Sequence, residues 1–208
     1  MENNFRVNLV SDYLTKLNLK DEIQGYFFGK NILVTGGAGA IGSNLVIALS
    51  QLVGSNGMII ILDNLTSIKS NNPIDFPSLQ NVMFVKGDIR NDIDLKRVFR
   101  ERPTIIYHLA AFFANQNSVD YPESSADVDI KGMIKLLDLA QFTHVERFIY
   151  ASSGCAIYGS YGKMPLKEDF ISMHLTTPYQ INKMAGEMYS NFYFHHYGLK
   201  VVNCRFFN

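Results

Sequence analysis

Short apolar runs alternate with stretches of helical spacing along most of the chain. The run Asn31–Thr35 is apolar and ends at glycines, as strands buried on both faces of a parallel sheet do. Further strands are predicted at 58–62, 82–86, 104–108, 147–151 and 200–205, and helices at 43–52, 92–100, 124–141 and 178–195. Strands that alternate with helices predict an α/β fold with a doubly wound parallel sheet.

Residues 1–28 precede the first strong strand and form a separate N-terminal extension in this interpretation. Val10, Leu14 and Leu17 fall at helical spacing, which predicts a short amphipathic helix of undetermined function. The remaining residues, 29–208, contain no internal repeat, low-complexity tract or Pro/Gly linker. We therefore expect them to form one domain.

Composition and charge exclude several classes of function. The 208 residues are 47% hydrophobic and 18% charged, and 19 acidic side chains balance 19 basic ones, so nothing favours nucleic acid or an anionic membrane as a partner. Cys155 and Cys204 have neither metal-ligand spacing nor the number needed for a disulfide framework. Glu2, Arg6 and Asp12 interrupt the apolar residues at the start, and no apolar run is long enough to span a membrane. We expect a cytoplasmic protein without a bound metal.

A glycine-rich loop follows the first strand directly and opens a helix. Gly36, Gly39 and Gly42 permit a tight turn, a close approach of backbone to pyrophosphate, and close packing of helix on strand. The N-terminus of the helix offers unpaired N–H groups and a positive partial charge to phosphates. Glycines also serve ordinary turns, but the order of strand, loop and helix favours a Rossmann-type dinucleotide site.

The second strand ends at Asp63, which Asn64 and Leu65 follow. An acid about 20 residues beyond the glycines suits hydrogen bonding to an adenosine ribose hydroxyl. The same carboxylate would repel a ribose phosphate, so NAD is favoured over NADP. Asp63 as a simple loop cap is the alternative.

The ends of the third and fourth strands supply further candidates for the ligand crevice. Asp88 is placed to receive the adenine amino group and Ile89 to pack on its ring, while the small Ala110 and Ala111 leave room for the cofactor. His108 is interpreted as a packed strand-end residue rather than a catalyst.

Tyr179 and Lys183 lie four residues apart near the start of a predicted helix, after Pro178, and so share one face. A free tyrosine has a pKa of about 10 and is a poor base at neutral pH. The ammonium and the charge of a cofactor are expected to lower the pKa of Tyr179. This spacing is common on ordinary helices, and the preceding dinucleotide loop favours catalysis.

Two hydroxyl groups follow the fifth strand. Either Ser152 or Ser153 could bridge a substrate alcohol and Tyr179, and either could instead cap a turn. Ser153 is preferred because it lies further beyond the predicted strand end.

Taken together, these motifs resemble the extended short-chain dehydrogenase/reductase family, in its NAD-dependent epimerase/dehydratase branch. The resemblance spans about residues 31–208, and its motifs occur in the family's order. The matching segments are residues 35–42, Asp63-Asn64-Leu65, Gly87-Asp88-Ile89, residues 108–111, Ser152-Ser153, Tyr179 with Lys183, and Arg205-Phe206-Phe207-Asn208.

The resemblance implies an NAD-dependent enzyme acting on a nucleotide-diphosphate sugar. It implies that Tyr179 is the catalytic base, Lys183 its electrostatic partner and Ser153 a hydroxyl donor that also contacts substrate. Asn208 matches a position that approaches the substrate phosphates. The positions implied to bind the cofactor are Gly36, Gly39, Ala40, Ile41, Gly42, Asp63, Asn64, Leu65, Asp88, Ile89, Leu109, Ala110, Ala111, Ser152, Tyr179, Lys183 and Phe206. The family also implies a homodimer formed by the helices at 124–141 and 178–195.

The sequence departs from the family pattern in three ways. The hydroxyl usually found four residues before Tyr158-Gly159 falls on Gly154 rather than Ser153, which one extra loop residue would reconcile. Sugar 4,6-dehydratases carry Asp-Glu in this loop, where Gly154, Cys155 and Ala156 stand here. Epimerisation through a transient 4-keto sugar is therefore preferred over dehydration, another short-chain dehydrogenase/reductase activity or non-catalytic NAD binding. The family's smaller C-terminal substrate domain is expected to be missing.

Overall fold

Four parallel strands and the helices between them form the first part of the protein. The computed structural model describes residues 2–18, 21–66, 79–112, 115–159 and 164–207. Two compact units divide the chain, Met1–Leu109 and Ala110–Asn208. The strands of the first unit are β1 (Asn31–Thr35), β2 (Met58–Asp63), β3 (Val82–Lys86) and β4 (Ile105–His108). Its helices are α1 (Glu2–Leu17), α2 (Asp21–Phe27), α3 (Ala40–Val53) and α4 (Asp92–Phe99), with a short 3-10 turn at Gly54–Asn56.

Strand β1 lies at the centre of this unit, between β2 and β4, and β3 pairs with the far edge of β2. In register, Leu33 is opposite Ile60 on one side and Ile106 on the other. The chain therefore winds outward through β2 and β3 and then returns to the opposite side of β1. In an open parallel sheet, ligands bind at the carboxyl ends of the strands where the winding direction reverses.

The core of the first unit explains why its strands read as continuous apolar runs. Ile32, Leu33 and Val34 are completely buried, and so is most of β2. Helices cover both faces of a parallel sheet, so the side chains of β1 and β2 after the first residue of each strand leave water. Each such side chain contributes roughly 1.5–3 kcal/mol of transfer free energy.

The predicted N-terminal helix is present as α1, and it packs on α3. The guanidinium of Arg6 donates hydrogen bonds to Ser43 Oγ at 2.9 Å and to Asn44 Oδ1 at 3.1 Å. The division of the chain into an extension (1–28) and one domain (29–208) stays a prediction.

The second unit contains two parallel strands, β5 (Arg147–Ser153) and β6 (Val201–Phe206), with Ala151 opposite Cys204. Its helical segments are α5 (Asn115–Asp120), α6 (Pro122–Ala126), a π-helical turn (Asp127–Gly132), α7 (Met133–Phe142), α8 (Gly154–Tyr158) and α9 (Pro178–Tyr197). None of the helices in the described ranges is both long and apolar enough to cross a membrane.

Helix α9 begins and ends at signals that the sequence carries. Thr177 accepts a hydrogen bond from the backbone N–H of Gln180, whose side chain bonds back to complete a capping box, and Pro178 occupies the first turn. Gly198 ends the helix with a left-handed φ of 72°. These two ends hold the residues between them in one continuous helix of 20 residues.

Most predicted elements are confirmed, and the differences have local causes. Strand β5 continues two residues beyond the predicted end, to Ser153. The helix predicted at 124–141 is α6, a π-helical turn and α7, because a continuous apolar spacing does not reveal a wider turn inside it. Helices α2, α5 and α8 were not predicted, since they are too short to show helical periodicity.

Candidate active site

The glycine loop forms a tight turn at the carboxyl end of β1. Gly36 has a φ of 71°, in the left-handed region that favours glycine, and its N–H donates to Leu62 O at 2.9 Å. A Cβ on Gly42 would lie 2.3 Å from Gly36 O, so the first turn of α3 touches the loop backbone directly. The N-cap of α3 is Gly39, which has no side chain to cover the N–H groups of the first turn. Backbone N–H groups at a helix N-terminus that no side chain caps are suited to bind an anion.

Asp63 joins this loop to the turn that follows β2. Its buried carboxylate accepts hydrogen bonds from Ala38 N at 2.9 Å and from Leu65 N at 2.8 Å. Leu65 has a φ of 64°, which is unfavourable for a residue with a Cβ, and the bond to Asp63 holds it there. A carboxylate has about four acceptor positions, so Asp63 keeps capacity for a ribose hydroxyl. Asn64 donates to Asp88 at 2.9 Å.

Asp88 is engaged with charged and polar neighbours. The side chain of Arg90 forms an ion pair with it at 2.8 Å. The hydrogen bond from Arg90 is the main cause that lowers the pKa of Asp88 to about 2. Asp88 is therefore a fixed anion, and Ile89 beside it is buried. The predicted contact of Asp88 with an adenine amino group would have to be shared with Arg90.

At the end of β4, His108 is buried and lies 2.7 Å, Nδ1 to Oγ1, from Thr35 on β1. This contact agrees with the interpretation of His108 as a packed strand-end residue. The N–H of Leu109 donates to Thr35 O at 3.0 Å. Ala110 and Ala111 open the second unit and are half-buried.

In the second unit, α9 presents Tyr179 and Lys183 on one face. The Lys183 ammonium is buried, with 4% of the residue exposed, and donates to Ala151 O at 2.8 Å. It lies 5.8 Å from the centroid of the Tyr179 ring and 5.0 Å from that of Tyr150. Tyr179 is half-buried, and its N–H donates to Ser118 Oγ at 3.0 Å.

The two adjacent serines at the end of β5 have different partners. The Ser153 side chain lies beside that of Tyr179, whose pKa it lowers, and its Oγ is 3.1 Å from the Sγ of Cys155. Ser152 donates instead to Glu187 Oε1 at 2.5 Å. The arrangement therefore brings Ser153, Tyr179 and Lys183 together and separates Ser152 from them. Ser153 is the last residue of β5, not a residue beyond it.

The protein's own groups move the pKa of Tyr179 in the direction opposite to the one expected. Burial is the largest cause and raises the pKa of Tyr179, and the charges of Cys155 and Asp129 raise it further. The hydrogen bond with Ser153 lowers it in part. The expectation that the ammonium and the charge of a bound cofactor together lower this pKa stays a prediction. Burial also lowers the pKa of Lys183, against the charge of Asp129.

An ion pair between Glu187 and Arg205 stabilises the position of the same helix. Glu187 accepts from Arg205 at 2.8 Å (Nη2 to Oε2) and at 3.0 Å (Nε to Oε1). Arg205 also donates to Tyr158 Oη at 3.1 Å and to Glu168 O at 2.8 Å. These bonds tie β6 to α9.

The sequence patterns did not identify two buried acids of this region, Asp129 and Glu187. Glu187 lies four residues after Lys183 and so on the same helix face. Asp129 lies four residues after Ser125 and four before Met133, both of which are buried. An acid on the buried side of a helix is the signal that could have identified either one.

The remaining predicted positions lie at the surface or beyond the described part of the chain. Ile41 is exposed next to Ala40 in the first turn of α3, and Phe206 is half exposed at the end of β6, opposite Ser153 in register. Asn208 lies outside the described residues. Among the described residues, no three His, Cys, Asp or Glu side chains are grouped to hold a metal ion.

Comparison with known proteins identifies the family of the chain. The sequence profile of the NAD dependent epimerase/dehydratase family matches residues 32–208. A UDP-glucose 4-epimerase from Mycolicibacterium smegmatis is 36% identical over 168 residues, which are 80% of this chain and 52% of that protein. The chain spans about half the length of the curated relatives it matches.

Solved structures show the same fold. An epimerase from Methanothermobacter thermautotrophicus is 49% identical, with a TM-score of 0.83 over 90% of this chain and 54% of that one. The UDP-glucose 4-epimerase of Thermus thermophilus, solved in complex with NAD, is 34% identical, with a TM-score of 0.72 over 84% of this chain and 54% of that one. The predicted doubly wound α/β fold is thereby confirmed.

Proposed function

The chain belongs to the NAD-dependent epimerase/dehydratase family, and from that premise we propose that it provides the cofactor-binding and catalytic residues of a UDP-sugar 4-epimerase. The contact of Ser153 and Lys183 with Tyr179 is the observation that carries the proposal. A phenol beside a buried ammonium and a hydroxyl donor is suited to moving a proton on and off a sugar alcohol. The relatives named as UDP-glucose 4-epimerases support the choice of substrate class.

The first unit fits NAD. A Cβ on Gly42 would overlap Gly36 O, so this glycine lets α3 begin close against the loop, and no side chain caps the first turn of α3. These N–H groups would hold the pyrophosphate, and Asp63 the adenosine ribose. When bound, NAD supplies reversible hydride acceptance and a positively charged ring. The positive charge of that ring would lower the pKa of Tyr179 and so counteract the effect of burial, which raises it.

The protein residues then carry the proton. Ser153 would hydrogen-bond the C4 hydroxyl of the sugar, and the Tyr179 phenolate would accept the proton of that hydroxyl. Lys183 would stabilise the phenolate electrostatically. Tyr179 would later return the same proton to the C4 oxygen, so that the residues of the chain gain and lose no proton overall.

Elimination of water, the competing reaction in this family, needs an acid beside the hydroxyl donor. The residues after Ser153 are the buried Gly154, the exposed Cys155 and the buried Ala156, none of which is a carboxylic acid. This composition supports epimerisation over dehydration.

The test is conversion of nucleotide sugars followed by NMR. Purified protein is incubated with NAD and a panel of UDP-, GDP-, CDP- and dTDP-sugars, and we expect UDP-glucose and UDP-galactose to interconvert. Tyr179→Phe is expected to lose turnover by at least about 100-fold while it still binds NAD, since acid–base catalysis contributes about 10²–10⁴-fold. Tyr13→Phe, an exposed tyrosine on α1, is the matched control. Full activity of the Tyr179→Phe protein would reject the mechanism.

We also propose a homodimer formed through α9. Ile181, Met188 and Phe192 lie on this helix at intervals of seven and four residues, and about half of each side chain is exposed. Met133 and Leu137 on α7, by contrast, are buried in their own chain. Light scattering should give twice the monomer mass, and Met188→Lys should reduce it to a monomer. A wild-type monomer would reject the dimer.

The free thiols of Cys155 and Cys204 support a reducing cytoplasm as the compartment.

A further inference from the structure

A buried acid is linked by hydrogen bonds to the helix that carries Lys183. Asp129, in the π-helical turn, is 4% exposed. It accepts hydrogen bonds from Phe112 N at 2.7 Å and from Ser125 Oγ at 3.2 Å. Asn182, the residue before Lys183, donates to the same Ser125 Oγ at 2.9 Å. These contacts fix the carboxylate relative to α9.

Lys183 requires a counter-charge because it is buried. An unpaired ammonium inside a protein costs several kcal/mol, and such a lysine ordinarily releases its proton instead. The backbone oxygen of Ala151 accepts one hydrogen bond but carries no net charge. Burial lowers the pKa of Lys183, and the charge of Asp129 is the cause that raises it. Reciprocally, burial raises the pKa of Asp129 and the charge of Lys183 lowers it.

The other titratable groups near Lys183 do not provide this charge. Tyr150 on β5 and Tyr179 on α9 present their rings to the ammonium and are neutral as phenols. Glu187, one turn further along α9, forms an ion pair with Arg205. Among the described residues, Asp129 in the π-helical turn is the acid whose charge acts on Lys183, and Ser125 links it by hydrogen bonds to the neighbouring Asn182.

We propose that Asp129 is a positioning residue, the buried counter-charge that keeps Lys183 an ammonium beside Tyr179. The charge pair itself is independent of the substrate, and only its effect on catalysis rests on the proposed function. Replacing Asp129 by Asn retains the shape and the oxygen that accepts from Phe112 N, removes the charge, and places an amide N–H₂ donor toward Ser125 Oγ. The ammonium is then less favoured, so the pKa of Lys183 falls.

The test is a pH titration of the protein labelled with ¹³C at lysine Cε and followed by NMR, with Lys183→Met to assign the signal. In Asp129→Asn, we expect the midpoint for Lys183 to fall by at least about one pH unit, a tenfold change in its proton affinity. Asp127→Asn is the matched control, because Asp127 lies in the same turn and pairs with Lys131. Asp129→Glu, which keeps the charge, should restore most of the midpoint.

An unchanged Lys183 midpoint in a folded Asp129→Asn protein would overturn the proposal. If that variant does not fold, the wild-type protein is titrated instead, and we expect the Lys183 signal to shift when Asp129 is protonated on acidification. A Lys183 signal that does not shift would reject the pairing. In kinetics, loss of the ammonium should move the alkaline limb of kcat/KM to lower pH in Asp129→Asn, whereas a purely structural role would lower the rate and leave the limb in place. A shifted midpoint in a protein that epimerises no sugar would reject the proposed function alone.

Discussion

Replacing Gly42 by Ala tests whether the first turn of α3 must lie close against the backbone of the glycine loop. The added Cβ would lie 2.3 Å from Gly36 O and 2.7 Å from Gly37 Cα. Ordinary contacts between carbon and oxygen are no closer than about 3.3 Å. Both neighbours are backbone atoms, so no side chain can rotate away. The loop and the first turn of α3 must therefore separate by roughly 1 Å.

The effect is expected to be larger on cofactor binding than on folding. Overpacking costs about 1–3 kcal/mol, and alanine in place of glycine inside a helix contributes about 0.8–1 kcal/mol of stability. The net loss of unfolding free energy is therefore about 0–2 kcal/mol. Loss of one hydrogen bond from a first-turn N–H to a phosphate costs about 1.5–3 kcal/mol, which corresponds to an increase of about 10- to 150-fold in the Kd for NAD.

The assay is calorimetric titration of NAD together with urea unfolding followed by circular dichroism. Gly25→Ala is the matched control, because a Cβ at Gly25 on α2 would meet nothing within 4 Å. The control should bind NAD as the wild type does and should be equally or slightly more stable. A Gly42→Ala protein with unchanged NAD affinity and unchanged stability would refute the reasoning from close approach.

Two other predictions concern the second unit. Glu187→Ala should lower the free energy of unfolding, measured in urea, by about 3–5 kcal/mol, because Arg205 is left as a partly buried, unpaired charge. Adding Arg205→Met to the same chain should recover part of that loss. A loss under about 1 kcal/mol in Glu187→Ala would contradict the importance of the ion pair. Iodoacetamide at neutral pH should modify Cys155 before Cys204, since Cys155 is exposed and burial raises the pKa of the Cys204 thiol. Peptide mass spectrometry measures both rates, and equal rates would contradict the assigned burial.

Features that depend on neighbouring residues along the chain were predictable from the sequence. The apolar run of β1 and the glycines after it specify a strand, a turn and a helix, and all three occur in that order, although the helix begins at Ala40, three residues before its predicted start. Tyr179 and Lys183 share a face because four residues make about one helical turn. Local backbone geometry, together with the need for apolar side chains in a buried strand, is sufficient to predict such features from the sequence.

The roles of the two serines were decided only by tertiary structure. Ser152 and Ser153 are adjacent, yet their partners Glu187 and Tyr179 are eight residues apart on α9, roughly 12 Å along its axis. Local spacing contains no information about which serine meets which residue. The packing of β5 against α9 makes that choice.

The electrostatics of the site also depend on packing. The pKa of Tyr179 is raised because burial removes water from the phenol, and Asp129 acts on Lys183 although 54 positions separate them in the sequence. Desolvation and Coulomb energies depend on distances in space and on burial, and neither follows from residue type. The sequence by itself determined which groups could react; the fold determined which of them meet and in what state of charge.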